Sequence, residues 1–407
     1  MAVWQKENSE NTVIKVILFL VSPILAFLFS LRTLKTRSSF IIIFLFSVFF
    51  GLAFTVSKGK QSDDSIDGSS YREKFEHYRY VTESKFYKGF LEYLTFEKGK
   101  QDYYFDTVAF YVSRFTSNYH IMFMVFAIVF TFFALKSLKF FVEEKNYSTS
   151  LACFILLYLF TINQIFNING VRFWTAAWVG VYSVLQIFRN GKYRYFLLLL
   201  CTPFFHGAFW LFIVITVIAY FGKNLNRLWT VLFFVSFLVS NISLDLVKNY
   251  IDLFPTFIVK MAESYTDESY VQQRESGGTG LYWLAATFNF LVRVYMNFLV
   301  YLFIKNSKEI IDNAKTKYLF SFLLVLMVFV NFTMAIPSLG GRYMLLSYPI
   351  IAYIWLVNFK GRKYDKVLYA MPVIFSFSFY VQIMLYMKVL EPVFYFSNPI
   401  YLLYHYL

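Results

Sequence analysis

Apolar runs recur along this chain from one end to the other, most of them 17 to 25 residues long. A run of that length crosses about 30 Å of hydrocarbon as a helix. In lipid each backbone amide must bond within its own segment, so such runs must be helical. They fall near 13–31, 39–57, 118–135, 150–168, 171–188, 228–244, 282–304, 318–336, 343–358 and 366–387, with a further run at 195–221. Only 15% of residues are charged, and mean hydropathy is +0.54. A soluble domain carries about 25% charged residues, so a soluble protein with a large core is excluded. The expectation is an all-α, multi-pass membrane protein with about ten transmembrane helices, forming a single transmembrane domain over 1–407. The first run, Val13–Leu31, is too long for a signal-peptide core and lacks a small-residue cleavage site, so it reads as a retained helix.

Short connections set the orientation. Nineteen of the 38 basic residues sit in six of them, after the runs ending near 31, 135, 188, 221, 304 and 358. By the positive-inside rule all six are cytoplasmic, which places both termini outside. Two long outer loops remain, 58–116 and 245–280. The first balances ten basic against ten acidic residues, and the second has three against six. Neither shows a cytoplasmic excess of cations. Aromatic residues run through 58–116, which suits amphipathic helices at the membrane surface. The net charge of +14 follows from the cytoplasmic loops, and no nucleic-acid partner is expected.

The run Tyr195–Phe221 is the exception, because both of its flanks are basic. A straight helix of 27 residues would rise about 40 Å and cross. A hairpin broken near Pro203 would instead return to its starting side, with His206 at its turn facing a cavity. The hairpin is the reading under which the other loops keep one orientation.

Ionisable groups within apolar segments are costly and mark function by default. Arg172 follows Asn167-Ile-Asn-Gly-Val at a junction between two runs. Its plainer reading is an interfacial side chain reaching lipid phosphates. His206 has the plainer reading of a buried structural histidine. Arg293 lies midway along its run, and its plainer reading is a partner for a buried carbonyl or tyrosine. Arg342 follows Ser338-Leu-Gly-Gly, where glycines let backbone approach a ligand. The runs hold almost no carboxylates to match these cations. Proton-coupled transporters usually need such carboxylates, whereas unmatched arginines suit an anionic ligand, and guanidinium binds phosphate bidentately. Asp63-Asp64-Ser-Ile-Asp67 could hold a metal or a general base, or be ordinary solvated loop. Gly277-Gly-Thr-Gly280 lacks the Lys-Ser/Thr of a phosphate loop. Cys153 and Cys201 lie in apolar runs and suggest neither a disulfide framework nor a metal site.

These residues, in this order, resemble the EpsG-type, Wzy-like polymerases of bacterial exopolysaccharide and O-antigen. The similarity rests on Asp63/Asp64 with Tyr71, the aromatic stretch Tyr103–Tyr119, Asn169-Gly-Val-Arg172, Phe205-His-Gly-Ala208, and Arg342-Tyr343. Phe173 and Ala208 stand where the family often has Gln and Ser. The resemblance implies a C-fold glycosyltransferase of the bacterial plasma (inner) membrane, multi-pass, with its active site facing outward. It further implies metal-independent transfer without a cofactor, between two polyprenyl-diphosphate-linked glycans, for O-antigen, capsule or exopolysaccharide. The expected catalytic base is His206 or Asp64. Arg172 and Arg342 would hold diphosphate, with Arg293 and Tyr343 as further substrate-binding residues. Expected partners are the lipid-linked glycans and the bilayer, and a chain-length regulator protein is a candidate. The rival readings are a flippase or transporter of lipid-linked sugars and a membrane acyltransferase acting on surface polysaccharide.

Overall fold

The computed structural model describes residues 8–57, 67–97, 100–239, 282–334, 336 and 339–407. Asp63, Asp64, the loop 245–280 and its Gly277–Gly280 stretch lie outside the described residues. Among the described residues the chain is helix and connection throughout, apart from one isolated β-bridge between Phe54 and Leu390.

The expected helix at 13–31 is two helices, α1 (Ser9–Val21) and α2 (Pro23–Leu31). Pro23 cannot donate to a continuing helix, and Ser22 caps the second with its side chain on the Leu25 N–H. A helix α3 (Arg37–Leu52) follows. The first long connection contains α4 (Asp67–Tyr78), α5 (Glu83–Leu94) and α6 (Tyr104–Phe115). Next come α7 (Tyr119–Val142), α8 (Leu151–Thr161) and α9 (Val171–Val184), which ends in a wider π turn, Leu185–Arg189.

The run at 195–221 is broken into α10 (Tyr195–Leu200), α11 (Thr202–Phe205) and α12 (Phe209–Phe221). It reverses direction. Tyr220, near its end, has its ring centroid 5.2 Å from Phe196 and 6.0 Å from Tyr193, at its start. The turn is His206-Gly207-Ala208, with His206 in extended backbone. The rest comprises α13 (Asn226–Val239), α14 (Tyr282–Lys305), α15 (Ser307–Ile311), α16 (Lys317–Phe332) and α17 (Leu339–Asn358). The expected helix at 366–387 is α18 (Arg362–Leu368), α19 (Met371–Ile374) and α20 (Ser376–Val389), bent by 44°. Two short helices close the chain, α21 (Pro392–Phe396) and α22 (Pro399–Tyr406).

Two of the described helices, Tyr119–Val142 and Trp283–Lys305, are long and apolar enough to cross a membrane by themselves, and the bent pair ending at Val389 makes a third. Six shorter apolar helices accompany them. Caps, prolines and π turns thus divide runs that are continuous in hydropathy. The core lies where α3, α7, α9, α16 and α17 meet and includes fully buried Phe123, Trp178 and Trp355.

The six basic connections gather at one end of this bundle. Glu144, buried behind α7, bonds Arg189 at 2.8 Å and Lys315 at 2.6 Å. Lys35 donates to the Tyr147 carbonyl at 3.0 Å, and Lys360 to Ser148 Oγ at 2.8 Å. Ser321 Oγ donates to the Lys223 carbonyl at 2.6 Å. Burial acts to raise the Glu144 carboxyl, but hydrogen bonds from Lys315, Tyr353 and Arg189 outweigh it and hold the group below its ordinary value.

Candidate functional site

At the opposite end, the segment between α8 and α9 prepares the start of α9. Asn167 Oδ1 accepts from the Asn169 N–H at 3.1 Å, a local turn that ends in Gly170. Asn and Gly favour such breaks because a short polar side chain, or none, satisfies the turning backbone. Arg172 therefore stands on the first turn of α9. From Arg172 to Arg189, in the basic end, the helix rises about 25 Å.

Three other elements converge there. The N-terminus of α4 docks on the junction, with the Asp67 N–H on Asn169 Oδ1 at 2.9 Å. Gly68 sits so close to Ile168 that a Cβ would lie 2.3 Å from its side chain. The hairpin turn docks on residues 101–103. The Tyr103 N–H donates to the Phe204 carbonyl at 3.1 Å, and a Cβ on Gly207 would meet Gln101 at 2.8 Å. The start of α17 contributes Arg342, whose Cζ lies 5.7 Å from the Phe173 ring centroid. The same Phe173 ring stands edge-on to His206 at 5.3 Å.

Together these elements enclose a cavity of about 230 Å³ lined by Asp67, Tyr71, Asn167, Asn169, Gly170, Arg172, Phe173, Trp174, His206 and Arg342. Arg172 Nη1 lies 3.0 Å from both carboxylate oxygens of Asp102. The buried Arg172 Nε has no partner among the described residues. Burial raises the Asp102 carboxyl above its ordinary value, although Arg172 and the Gly207 N–H pull the other way. Asp67 stands at the mouth. Crowding by protein raises its carboxyl above its ordinary value, against Arg172, Arg342 and Lys74. His206 Nδ1 accepts from the Ala208 N–H at 3.2 Å. In the neutral ring that bond leaves the proton on Nε2, so the imidazole offers a donor. A second cavity of about 550 Å³, framed by α4, α5 and α6, shares Tyr71 and Arg172 with the first.

The structure thus brings Arg172, His206 and Arg342 into one cavity. It corrects the expectation of unmatched arginines, because Arg172 is paired by Asp102, a carboxylate from the long loop before α6 rather than from a helix. Tyr343 does not line the cavity. It is 1% exposed, and its hydroxyl donates to the Ala208 carbonyl, bracing the hairpin turn from behind. Arg293 lines neither cavity. Asp64 lies outside the described residues, while Asp67, from the same acidic run, lines the first cavity.

The EpsG family matches residues 40–398. The chain belongs to the EpsG family. No curated protein and no solved structure matches it. The family is associated with glycosyl transfer in polysaccharide biosynthesis, and this EpsG-family chain is accordingly a polysaccharide-polymerase-like membrane protein. Asp102 is the residue of this site that sequence reasoning missed. It immediately precedes the aromatic stretch Tyr103–Tyr119, but nothing marks it out among ten acidic residues of one loop.

Proposed function

We propose that this EpsG-family protein polymerises lipid-linked oligosaccharide repeat units. A glycan leaves its polyprenyl diphosphate and joins a sugar hydroxyl of a second lipid-linked glycan, at the outer face of the bacterial plasma membrane. The observation that carries the reading is the meeting of Arg172, Arg342 and His206 in one cavity, at the far end of α9 from the basic connections. That separation of about 25 Å is close to the ~30 Å of a bilayer core. It supports a cytoplasmic basic end and an outward site, and about ten spans are proposed with the shorter helices crossing as broken or tilted elements. The architecture proposed is of the C-fold type.

The transfer is read as follows. The bond between the donor anomeric carbon and the phosphate oxygen breaks, and its electron pair leaves on the diphosphate. The anomeric carbon bonds the acceptor oxygen, and the acceptor proton passes to a base. Arg172 and Arg342 stabilise the charge that develops on the leaving diphosphate, where donors aimed at developing charge act most strongly. His206 adds a neutral donor through Nε2. Asp67 is the base, its raised carboxyl bringing it nearer the operating pH. In this reading the arginines supply the positive charge and the step is metal-independent. The polyprenyl chain is read into an apolar space. Gln164, Ile165 and Phe166 line an apolar cavity of about 400 Å³ that reaches along α3, α7 and α8, and the next residues line the polar one. The test is deletion followed by gel analysis of surface glycan. The expected result is single repeat units in place of long chains, reversed by the wild-type gene and not by Arg172→Ala. Normal chain length would overturn the reading. Cytosol-facing units accumulating would favour a flippase, and intact polymer lacking acyl groups would favour an acyltransferase.

A further inference from the structure

The cavity of about 550 Å³ framed by α4, α5 and α6 has a charge imbalance that the proposed transfer does not use. On α5, Lys85, Lys88, Gly89 and Glu92 face it, one helical stripe. On α4, Lys74, His77 and Tyr78 do the same. Its carboxylates are engaged. Asp102 is held by Arg172. Asp106 accepts from the Tyr78 hydroxyl and lies 3.8 Å from Lys100, and Glu92 also has a partner. Lys85 and Lys88, by contrast, make no ion pair among the described residues. Lys100 is fixed 4.1 Å from the Tyr103 ring centroid. The cavity therefore presents unmatched positive charge over an aromatic wall, and it shares Tyr71 and Arg172 with the cavity of the proposed transfer.

We infer that this cavity binds the acceptor glycan and that the glycan is acidic, carrying carboxylates on its sugars. The inference rests on the polymerase reading for the ligand being a sugar chain, and on the charge balance for its sign. Carboxylates would pair Lys85 and Lys88, while sugar rings lie against the aromatic wall. An anionic membrane surface is the lesser match, because these lysines line a concave space that a flat bilayer cannot enter.

The test uses the full chain in nanodiscs of phosphatidylcholine, with intrinsic tryptophan fluorescence as the readout. A tetramer of galacturonic acid is titrated against a neutral maltotetraose. The acidic tetramer should bind saturably and about tenfold tighter, and added salt should weaken it. Lys85→Gln with Lys88→Gln should weaken it about fivefold to tenfold. Farnesyl diphosphate binding should stay unchanged in that variant, which also verifies its fold. Equal binding of the two tetramers would overturn the inference, as would a double variant that binds the acidic tetramer normally. Binding of both tetramers that appears only with anionic lipid present would assign the lysines to the membrane and overturn it too. Failure of farnesyl diphosphate to bind wild type would count against the diphosphate site and leave the tetramer comparison standing by itself.

Discussion

Arg172 Nη1 sits 3.0 Å from both oxygens of Asp102, a residue seventy positions earlier. The pair joins the first turn of α9 to the long loop before α6 and turns the remaining guanidinium edge, with its unpartnered Nε, away from the carboxylate. Lys keeps the charge but loses the planar fork. Arg172→Lys should shorten surface glycan strongly. Arg172→Ala should lower polymerisation by about 100-fold or more, with protein still in the membrane. Normal chain length in Arg172→Ala and Arg342→Ala strains would remove the diphosphate site.

Asp102→Asn keeps the shape and removes the charge. The side chain can still accept from the Gly207 N–H but no longer neutralises Arg172. We expect a loss of polymerisation smaller than in Arg172→Ala. Combining the two substitutions should cost less than the sum of both, because each acts through the same pair. Additive losses in that double-mutant cycle would show that the two side chains work separately.

His206 separates two chemical roles. As a donor through Nε2 it can be partly replaced by Gln, whose amide also donates. His206→Gln should keep roughly a tenth of the activity and an unchanged pH profile, and His206→Ala should lose about 100-fold. If the Gln variant instead loses a limb of the pH profile, His206 is the base.

In the proposed transfer Asp67 would set the acidic limb. Its carboxyl is raised above the ordinary value of 3.8, and a base works only when deprotonated. Activity should therefore rise with pH through the folded pKa and fall away below it. Asp67→Asn should cost about 100-fold or more with no change in membrane level. An unaltered acidic limb in Asp67→Asn would move the base elsewhere, with Asp64 the next residue to test.

At the basic end, Glu144→Gln should lower thermal stability by about 3 kcal/mol, because Arg189 loses its anion in a buried setting. The Glu144 carboxyl is held below its ordinary value of 4.5. Its contribution is thus present above that value and lost as pH falls through the folded pKa. A melting curve in detergent at neutral pH and near pH 4 reads both effects. Glycan chain length per folded molecule should not change.

Arg172, His206, Arg293 and Arg342 could be singled out from sequence because each puts charge inside an apolar segment, although Arg293 lines neither cavity. Asp102 could not, because a carboxylate in a polar loop differs from its neighbours only through what it touches. Tyr343 illustrates a different limit. It adjoins Arg342 in sequence, but successive residues on a helix point about 100° apart, so one faces the cavity and the other the bundle interior. Hydropathy also passed over the breaks at Ser22 and near Phe375, where caps and backbone bends divide runs that stay apolar. The reversal at 195–221 was legible from its two basic flanks, since two like ends imply a return.

The braced turn also fixes an order of events during synthesis. His206 and Ala208 emerge from the ribosome long before Tyr343, whose hydroxyl satisfies the Ala208 carbonyl, and before Phe322, whose ring packs against Phe212 of the returning helix. A nascent chain stopped before α16 has the turn but neither support, and it lacks Arg342 altogether. The cavity of Arg172, His206 and Arg342 therefore cannot be completed until the C-terminal third of the chain has been made. No N-terminal fragment of this protein should polymerise glycan without it.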